Sequence, residues 1–140
     1  MINLVLVEPE IPANTGNIFR TCAVTGCALH LIRPLGFDIS DRSLKRAGLD
    51  YWDKLNLTVY DNLDDFFSAT RIQTCGWLHP KGPGLITRPL SATAVFFFFG
   101  KETKDSTKPF CPRMLSAACA CLCSPGARCL NLSNAAAIFA

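Results

Sequence analysis

Polar and charged side chains follow an apolar run near the start of the chain. The run 3–7 is followed by Asn14, Thr15 and Asn17, and Arg20 comes next in a segment with helical spacing. If the run is a strand of a parallel sheet, these residues lie at its carboxyl edge, where open α/β folds bind ligands. An arginine one turn into the following helix can hold a phosphate through two hydrogen bonds. A helix cap with a solvated arginine is the structural alternative.

Two later segments offer similar chemistry. Gly100 directly follows the apolar run 94–99, and a glycine at this position lets a ligand approach the backbone. Glu102 then lies at the same edge of the sheet. The last polar group consists of Asn131, Ser133 and Asn134. Such side chains either satisfy the amides that open a helix or bind a ligand. The chain lacks the glycine signatures of phosphate-binding loops.

A basic segment precedes two aromatic residues. Arg42, Lys45 and Arg46 are spaced to share one face of a helix, and Tyr51 and Trp52 follow. Cations beside aromatic rings suit a nucleic acid, through phosphate contacts and base stacking. The charge distribution also favours an anionic partner, because the second half of the chain carries eight Lys or Arg and two Asp or Glu. An ordinary solvated face is the alternative.

The eight cysteines do not predict a disulfide framework. Five of them lie between Cys111 and Cys129, whereas bridges of a secreted scaffold would spread over the fold. Cys119, Cys121 and Cys123 also lack the wider spacing of structural zinc ligands, so no metal is predicted. We therefore expect reduced thiols and a cytoplasmic protein.

Length and composition predict one globular domain over residues 1–140. The chain is 49% hydrophobic and 18% charged, which is enough apolar material for a core. The start lacks the basic region of a signal peptide. Apolar runs such as 94–99 are too short to cross a bilayer, so no membrane partner is expected.

The order of the apolar runs predicts an α/β fold with a mostly parallel sheet and flanking helices. The run 3–7 reads as a strand, 11–17 as a loop, the segment ending at Gly26 as a helix and 28–32 as a second strand, which make a βαβ unit. Further strands are predicted at 57–60, 74–78 and 94–99, the last of them central because its phenylalanines would not tolerate water. Further helices are predicted at 41–47, 63–69 and 131–140.

Five segments together resemble one family, the small SPOUT-class tRNA (cytidine(34)-2′-O)-methyltransferases. They read LVLVEPEIPANTGNIFR, HLIRPLGF, LKRAGLDYW, FGKET and LNLSNAAAI, and they span the chain in this order with one clear gap. The resemblance implies a SPOUT-type sheet with a trefoil knot and a homodimer. It also implies S-adenosylmethionine as methyl donor, and tRNA lying across both subunits as the substrate whose wobble ribose is methylated.

The resemblance assigns roles to particular residues. Arg20 would lie beside the transferred methyl group and the 2′-hydroxyl. The reacting site would be completed by Asn14, Glu102, Ser133 and Asn134. The cofactor loops would include Leu78, Gly100, Leu122, Cys129 and Leu130, chiefly through their backbone groups. The RNA-binding face would carry Arg42, Lys45 and Arg46.

Two parts of the chain depart from the family pattern. Residues 105–125 lack the glycine that the family places after the position of Lys104. We interpret this segment as the product of a shifted reading frame, which the nucleotide sequence would test. The family also continues through one more helix, so we expect the end of the knot to be missing. Two other functions stay open: a ribosomal RNA 2′-O-methyltransferase of the same class, and a non-catalytic RNA-binding fragment.

Overall fold

A computed structural model describes residues 1–39, 56–70, 74–78, 84–85, 94–101, 118–120 and 130–140. The strands in these ranges are β1 (Ile2–Val7), β2 (Ala28–Ile32), β3 (Leu57–Tyr60), β4 (Thr74–Leu78), β5 (Gly84–Leu85), β6 (Val95–Phe99) and β7 (Ala118–Ala120). The helices are α1 (Pro12–Thr25), α2 (Leu63–Ala69) and α3 (Leu132–Phe139).

The described strands form one sheet in the order β3-β2-β1-β6-β4-β7-β5, and every pairing in it is parallel. In the register of the central strands, Leu4 lies opposite Leu29 on one side and Phe97 on the other. All five residues of β6 are buried. The predictions of a parallel α/β sheet and of a central strand at 94–99 are therefore confirmed.

Alternate residues of the central strands face two separate apolar cores. Phe97 and Phe99 of β6 pack with α1 and α3, whereas Phe96 and Phe98 join Phe66 of α2 on the other face. Such alternation follows from the two-residue period of a strand. Helices thus cover both faces, which explains why the strands read as continuous apolar runs.

The predicted loop at 11–17 is wrong, because α1 already begins at Pro12. Proline suits the first helical position, since its missing N–H has no partner there and its φ is already helical. The predicted helix end is confirmed, and Gly26 adopts a left-handed φ of 76° that favours glycine. The start of α2 is capped by Asn62, whose Oδ1 accepts the N–H of Asp65 at 2.8 Å.

Some sequence predictions fall on other parts of the chain. The helix at 41–47 lies outside the described residues, as does most of the segment 105–125. The trefoil knot stays a prediction. No helix within the described ranges is long and apolar enough to span a membrane.

Candidate functional site

The carboxyl ends of the two central strands meet at one edge of the sheet. β1 ends at Val7 and β6 at Phe99, and the residues that follow each strand are in contact. Lys101 Nζ lies 2.6 Å from Glu8 Oε2, and both side chains are about one-third exposed. Hydrogen bonding to the Glu8 carboxylate raises the pKa of Lys101. This edge is where an open α/β fold places its ligands.

The start of α1 is joined to the start of α3 at the same side of the molecule. Asn131 Nδ2 donates to Asn14 Oδ1 at 3.0 Å, a contact between positions far apart in sequence. Asn14 is buried and lies in the first turn of α1, so its amide is held within the fold. The structure therefore brings together two of the polar segments that the sequence singled out separately.

Asn131 is also the cap of α3. Its Oδ1 accepts both the backbone N–H of Ser133 at 2.9 Å and the Ser133 hydroxyl at 2.7 Å. One amide therefore satisfies a helix terminus with its oxygen and contacts α1 with its nitrogen. The predicted reacting site did not include Asn131, although the sequence marked it as a polar residue that either opens a helix or binds a ligand. Its position beside Ser133 and Asn134 was the available signal.

Arg20 is exposed on α1 and lies farther along the helix than predicted. Because the helix begins at Pro12, Arg20 comes about two turns into it rather than one. Its side chain is consequently accessible to a large anionic ligand, which agrees with the role the resemblance gives it. The correction moves the guanidinium away from the helix start, so phosphate binding there would not use the amides of the first turn.

The remaining described site residues lie at strand or helix ends. Leu78 is the last residue of β4, and Gly100 directly follows β6. Ser133 is half-buried and Asn134 exposed in the first turn of α3, and Leu130 is exposed just before it. The structure does not bring Ser133 and Asn134 into a contact with Arg20 that would test their roles. These assignments stay predictions.

The other predicted site residues lie outside the described residues. They are Glu102 of the reacting site, Leu122 and Cys129 of the cofactor loops, and Arg42, Lys45 and Arg46 of the RNA-binding face. Among the residues that the structure describes, no group of three or more His, Cys, Asp or Glu could hold a metal ion.

A second polar cluster is buried in the sheet, away from the carboxyl edge. Asn3 Nδ2 donates to the carbonyl of Val95, so its Oδ1 faces His30 Nε2 at 3.2 Å. His30 Nε2 must therefore carry the proton, and Nδ1 accepts from the Tyr60 hydroxyl at 3.4 Å. Burial lowers the pKa of His30 to about 4. Both ring nitrogens are thus engaged by Asn3 and Tyr60, which favours a structural role for this histidine.

The Cys22 thiol of the described core is held in its protonated, unreactive form. Cys22 and Cys27 are buried and unbridged. Burial raises the pKa of Cys22 to about 12, and only the thiolate would react.

The fold and the edge define the RNA methyltransferase class. The chain superimposes on a solved structure from Bacillus anthracis, provisionally named an RNA methyltransferase, with a TM-score of 0.87 and 41% identity over 99% of this chain and 89% of that one. A second structure, described as giving "insights into the 2-OH methylation of C/U34 on tRNA", matches with a TM-score of 0.85 and 34% identity, over 99% and 91% of the two chains.

Sequence comparison gives the family. The model of the SpoU rRNA Methylase family matches residues 1–140. A relative from Geobacillus stearothermophilus, provisionally named a tRNA (cytidine(34)-2′-O)-methyltransferase, is 44% identical over 99% of this chain and 90% of its own length. The chain belongs to the SpoU methylase family, and the resemblance seen in its five motifs is confirmed.

Proposed function

We propose that this chain transfers a methyl group from S-adenosylmethionine to the ribose 2′-hydroxyl of nucleotide 34 in tRNA. The observation that carries the proposal is the 34% identity and common fold, along 99% of the chain, with the protein described for 2′-OH methylation of C/U34. The Asn14–Asn131 contact supports it, because it joins the first and last motifs of the resemblance at one place.

Arg20 is the residue to which we assign the substrate. Its guanidinium would orient the ribose through the neighbouring phosphate and the 2′-hydroxyl, and its exposure suits a contact with RNA. It does not act as the base, because arginine does not lose its proton in proteins. Orientation of the two reactants then accounts for most of its effect on rate. Asn14, Glu102, Ser133 and Asn134 would complete the reacting site around it.

The residues present fit the methyl donor at the edge of the sheet. β4 and β6 pair directly, with Trp77 opposite Phe98, so the loops after Leu78 and Gly100 start from neighbouring strand ends. Gly100 leaves backbone groups accessible there. The donor supplies an activated methyl group on a sulfonium; Leu122, Cys129 and Leu130 would contribute the third loop that encloses it.

The RNA would contact the basic segment with Arg42, Lys45 and Arg46. The net charge of +3, and the excess of cations in the second half of the chain, support a polyanionic partner. We also propose a cytoplasmic location, where such an enzyme meets its RNA.

A homodimer is part of the proposal. Val24 of α1 is 67% exposed and Ile138 of α3 is 56% exposed, and these two helices pack together. Apolar side chains on neighbouring helices support burial against a second subunit. Sedimentation of the purified chain would test this directly.

Ribosomal RNA is the second candidate substrate, because the matching family model is described by rRNA methylation. One experiment separates the candidates: nucleosides of tRNA and rRNA from a strain that lacks the gene are mapped for 2′-O-methylation, before and after incubation with the purified enzyme and donor. Restoration at nucleotide 34 of tRNA supports the proposal, whereas restoration only in rRNA overturns it. A chain that binds no donor in calorimetric titration would instead be a non-catalytic RNA-binding protein.

A further inference from the structure

The turn Glu8–Glu10 is anchored on one side by the end of β2. The backbone N–H of Glu8 donates to the carbonyl of Ile32 at 2.9 Å, and the N–H of Gly36 donates to the carbonyl of Pro9 at 2.9 Å. A Cβ on Gly36 would lie 2.7 Å from the Cα of Glu10. The segment after β2 thus lies directly against this turn, with no room for a side chain between them.

On its other side the same turn is held by the residue after β6. Lys101 approaches Glu8 at 2.6 Å, and both groups are only about one-third exposed, which limits screening by water. Charge-assisted hydrogen bonds of this kind are stronger and more directional than neutral ones. The turn therefore connects the carboxyl ends of three adjacent strands, β2, β1 and β6.

The backbone of Glu8 supports a specific role for the turn. Its φ of 52° lies in the left-handed region, which costs free energy for a residue with a side chain. Such a conformation persists where surrounding contacts impose it. Here those contacts are the bond to Ile32 on the backbone and the bond to Lys101 on the side chain.

We propose that the Glu8–Lys101 pair positions the start of α1 against the loop that begins at Gly100. Glu8 leads into the helix that carries Asn14, and Lys101 stands between Gly100 and Glu102. Both residues are positioning residues, because they act through the segments they join. The inference rests on the proposed function, since it concerns the same site.

The effect of the pair is local rather than global. A partly exposed ion pair adds little to the stability of a whole domain, so its loss should leave the fold intact. It should instead loosen the edge of the sheet, where a displacement of an ångström is enough to slow a reaction strongly.

The test compares Lys101→Met, Lys101→Arg, Glu8→Gln and the double variant Glu8→Gln/Lys101→Met. Hydrogen–deuterium exchange reports on the edge without any ligand, donor affinity is measured by calorimetry, and single-turnover methylation is measured on tRNA. Asp61→Asn is the matched control, because it removes the ion pair between Asp61 and Arg33 at the outer end of the same edge.

For Lys101→Met we expect faster amide exchange at Glu8 and Gly36, unchanged exchange in α2, and a methylation rate lowered about tenfold at saturating donor. Lys101→Arg should recover most of the rate. The double variant should lose no more than Lys101→Met alone, since that substitution already removes the one contact that both changes affect. The control Asp61→Asn should show the same amide exchange and the same methylation rate as the unmodified chain.

Unchanged exchange at Glu8 and Gly36 in Lys101→Met would overturn the inference, as would losses that multiply in the double variant. A wild-type chain that leaves nucleotide 34 unmethylated would overturn the proposed function alone. The exchange comparison would still decide whether the pair holds the edge, so the two failures are distinguishable.

Discussion

The side-chain nitrogen of Asn131 donates to the side-chain oxygen of Asn14 at 3.0 Å. The side-chain oxygen of Asn131 caps α3 by accepting the backbone N–H of Ser133. A single amide therefore couples the start of one helix to the start of another. Its two functions are separable, because the cap needs only a short acceptor whereas the contact with Asn14 needs the full length of the amide.

Asn131→Ser and Asn131→Ala should separate these two functions. Serine caps helices about as well as asparagine but is too short to reach Asn14, so Asn131→Ser should retain most of the unfolding free energy. Asn131→Ala loses the cap as well and should cost about 1 kcal/mol more. Both variants should slow methyl transfer, because both remove the hydrogen bond between Asn131 and Asn14. Urea unfolding and single-turnover methylation measure the two effects; full activity in Asn131→Ser would show that the contact is only structural.

Arg20→Ala should abolish methyl transfer while leaving donor binding largely intact. Arg20 is exposed on α1, so its removal should change the unfolding free energy by less than about 0.5 kcal/mol. The lost rate then reports the contact with RNA and not a damaged fold. Calorimetric titration with S-adenosylmethionine and methylation of tRNA check the two halves of this prediction.

Arg20→Lys is the companion variant, and its methylation rate should stay well below that of the wild type because one ammonium cannot replace a bidentate contact. Unchanged turnover in Arg20→Ala would remove Arg20 from the site.

Local sequence patterns predicted most of the elements but not the contacts between them. The buried strands were recognisable because parallel strands are apolar throughout, and Gly26 marked the end of α1. The start of α1 was missed because Pro12 and the Asn and Gly residues after it are also typical of loops. β5 and β7, with two and three residues, are too short to give a period.

The site required tertiary information for the same reason. Asn14 and Asn131 were each recognised as polar groups near a helix start, but nothing local to either one indicates that they meet. The Glu8–Lys101 pair likewise could not be predicted from the sequence, because it depends on β1 and β6 being neighbours in the sheet although they are far apart in the chain. The resemblance supplied roles for residues, and the structure supplied these two contacts.

Gly36→Ala should destabilise the carboxyl edge. The new Cβ would lie 2.7 Å from Glu10 Cα and 2.9 Å from Glu10 O, which are backbone atoms that cannot rotate away. Displacing the turn should cost about 1–3 kcal/mol, as for other overpacked sites. Gly26→Asn is the control: open space surrounds Gly26, and asparagine tolerates its left-handed φ. Thermal unfolding of both variants checks the prediction, and equal losses would contradict the steric argument.

Because of His30, the free energy of unfolding should decrease as the pH is lowered from about 6.5 to 4. Burial lowers the pKa of His30 from 6.5 to about 4, so in this window the unfolded chain binds a proton that the folded chain excludes. The contribution is complete above pH 6.5 and is lost as the pH falls towards 4, by on the order of 3 kcal/mol.

Carboxylates also titrate at the lower end of this range, so the comparison must be made with a variant. His30→Gln cannot ionise, and although it should be less stable at pH 7 through weaker packing with Phe66, its unfolding free energy should change less between pH 6.5 and 5. Urea unfolding of both proteins across this range measures the difference. Parallel curves for the two proteins would show that His30 binds its proton equally in the folded and unfolded chains.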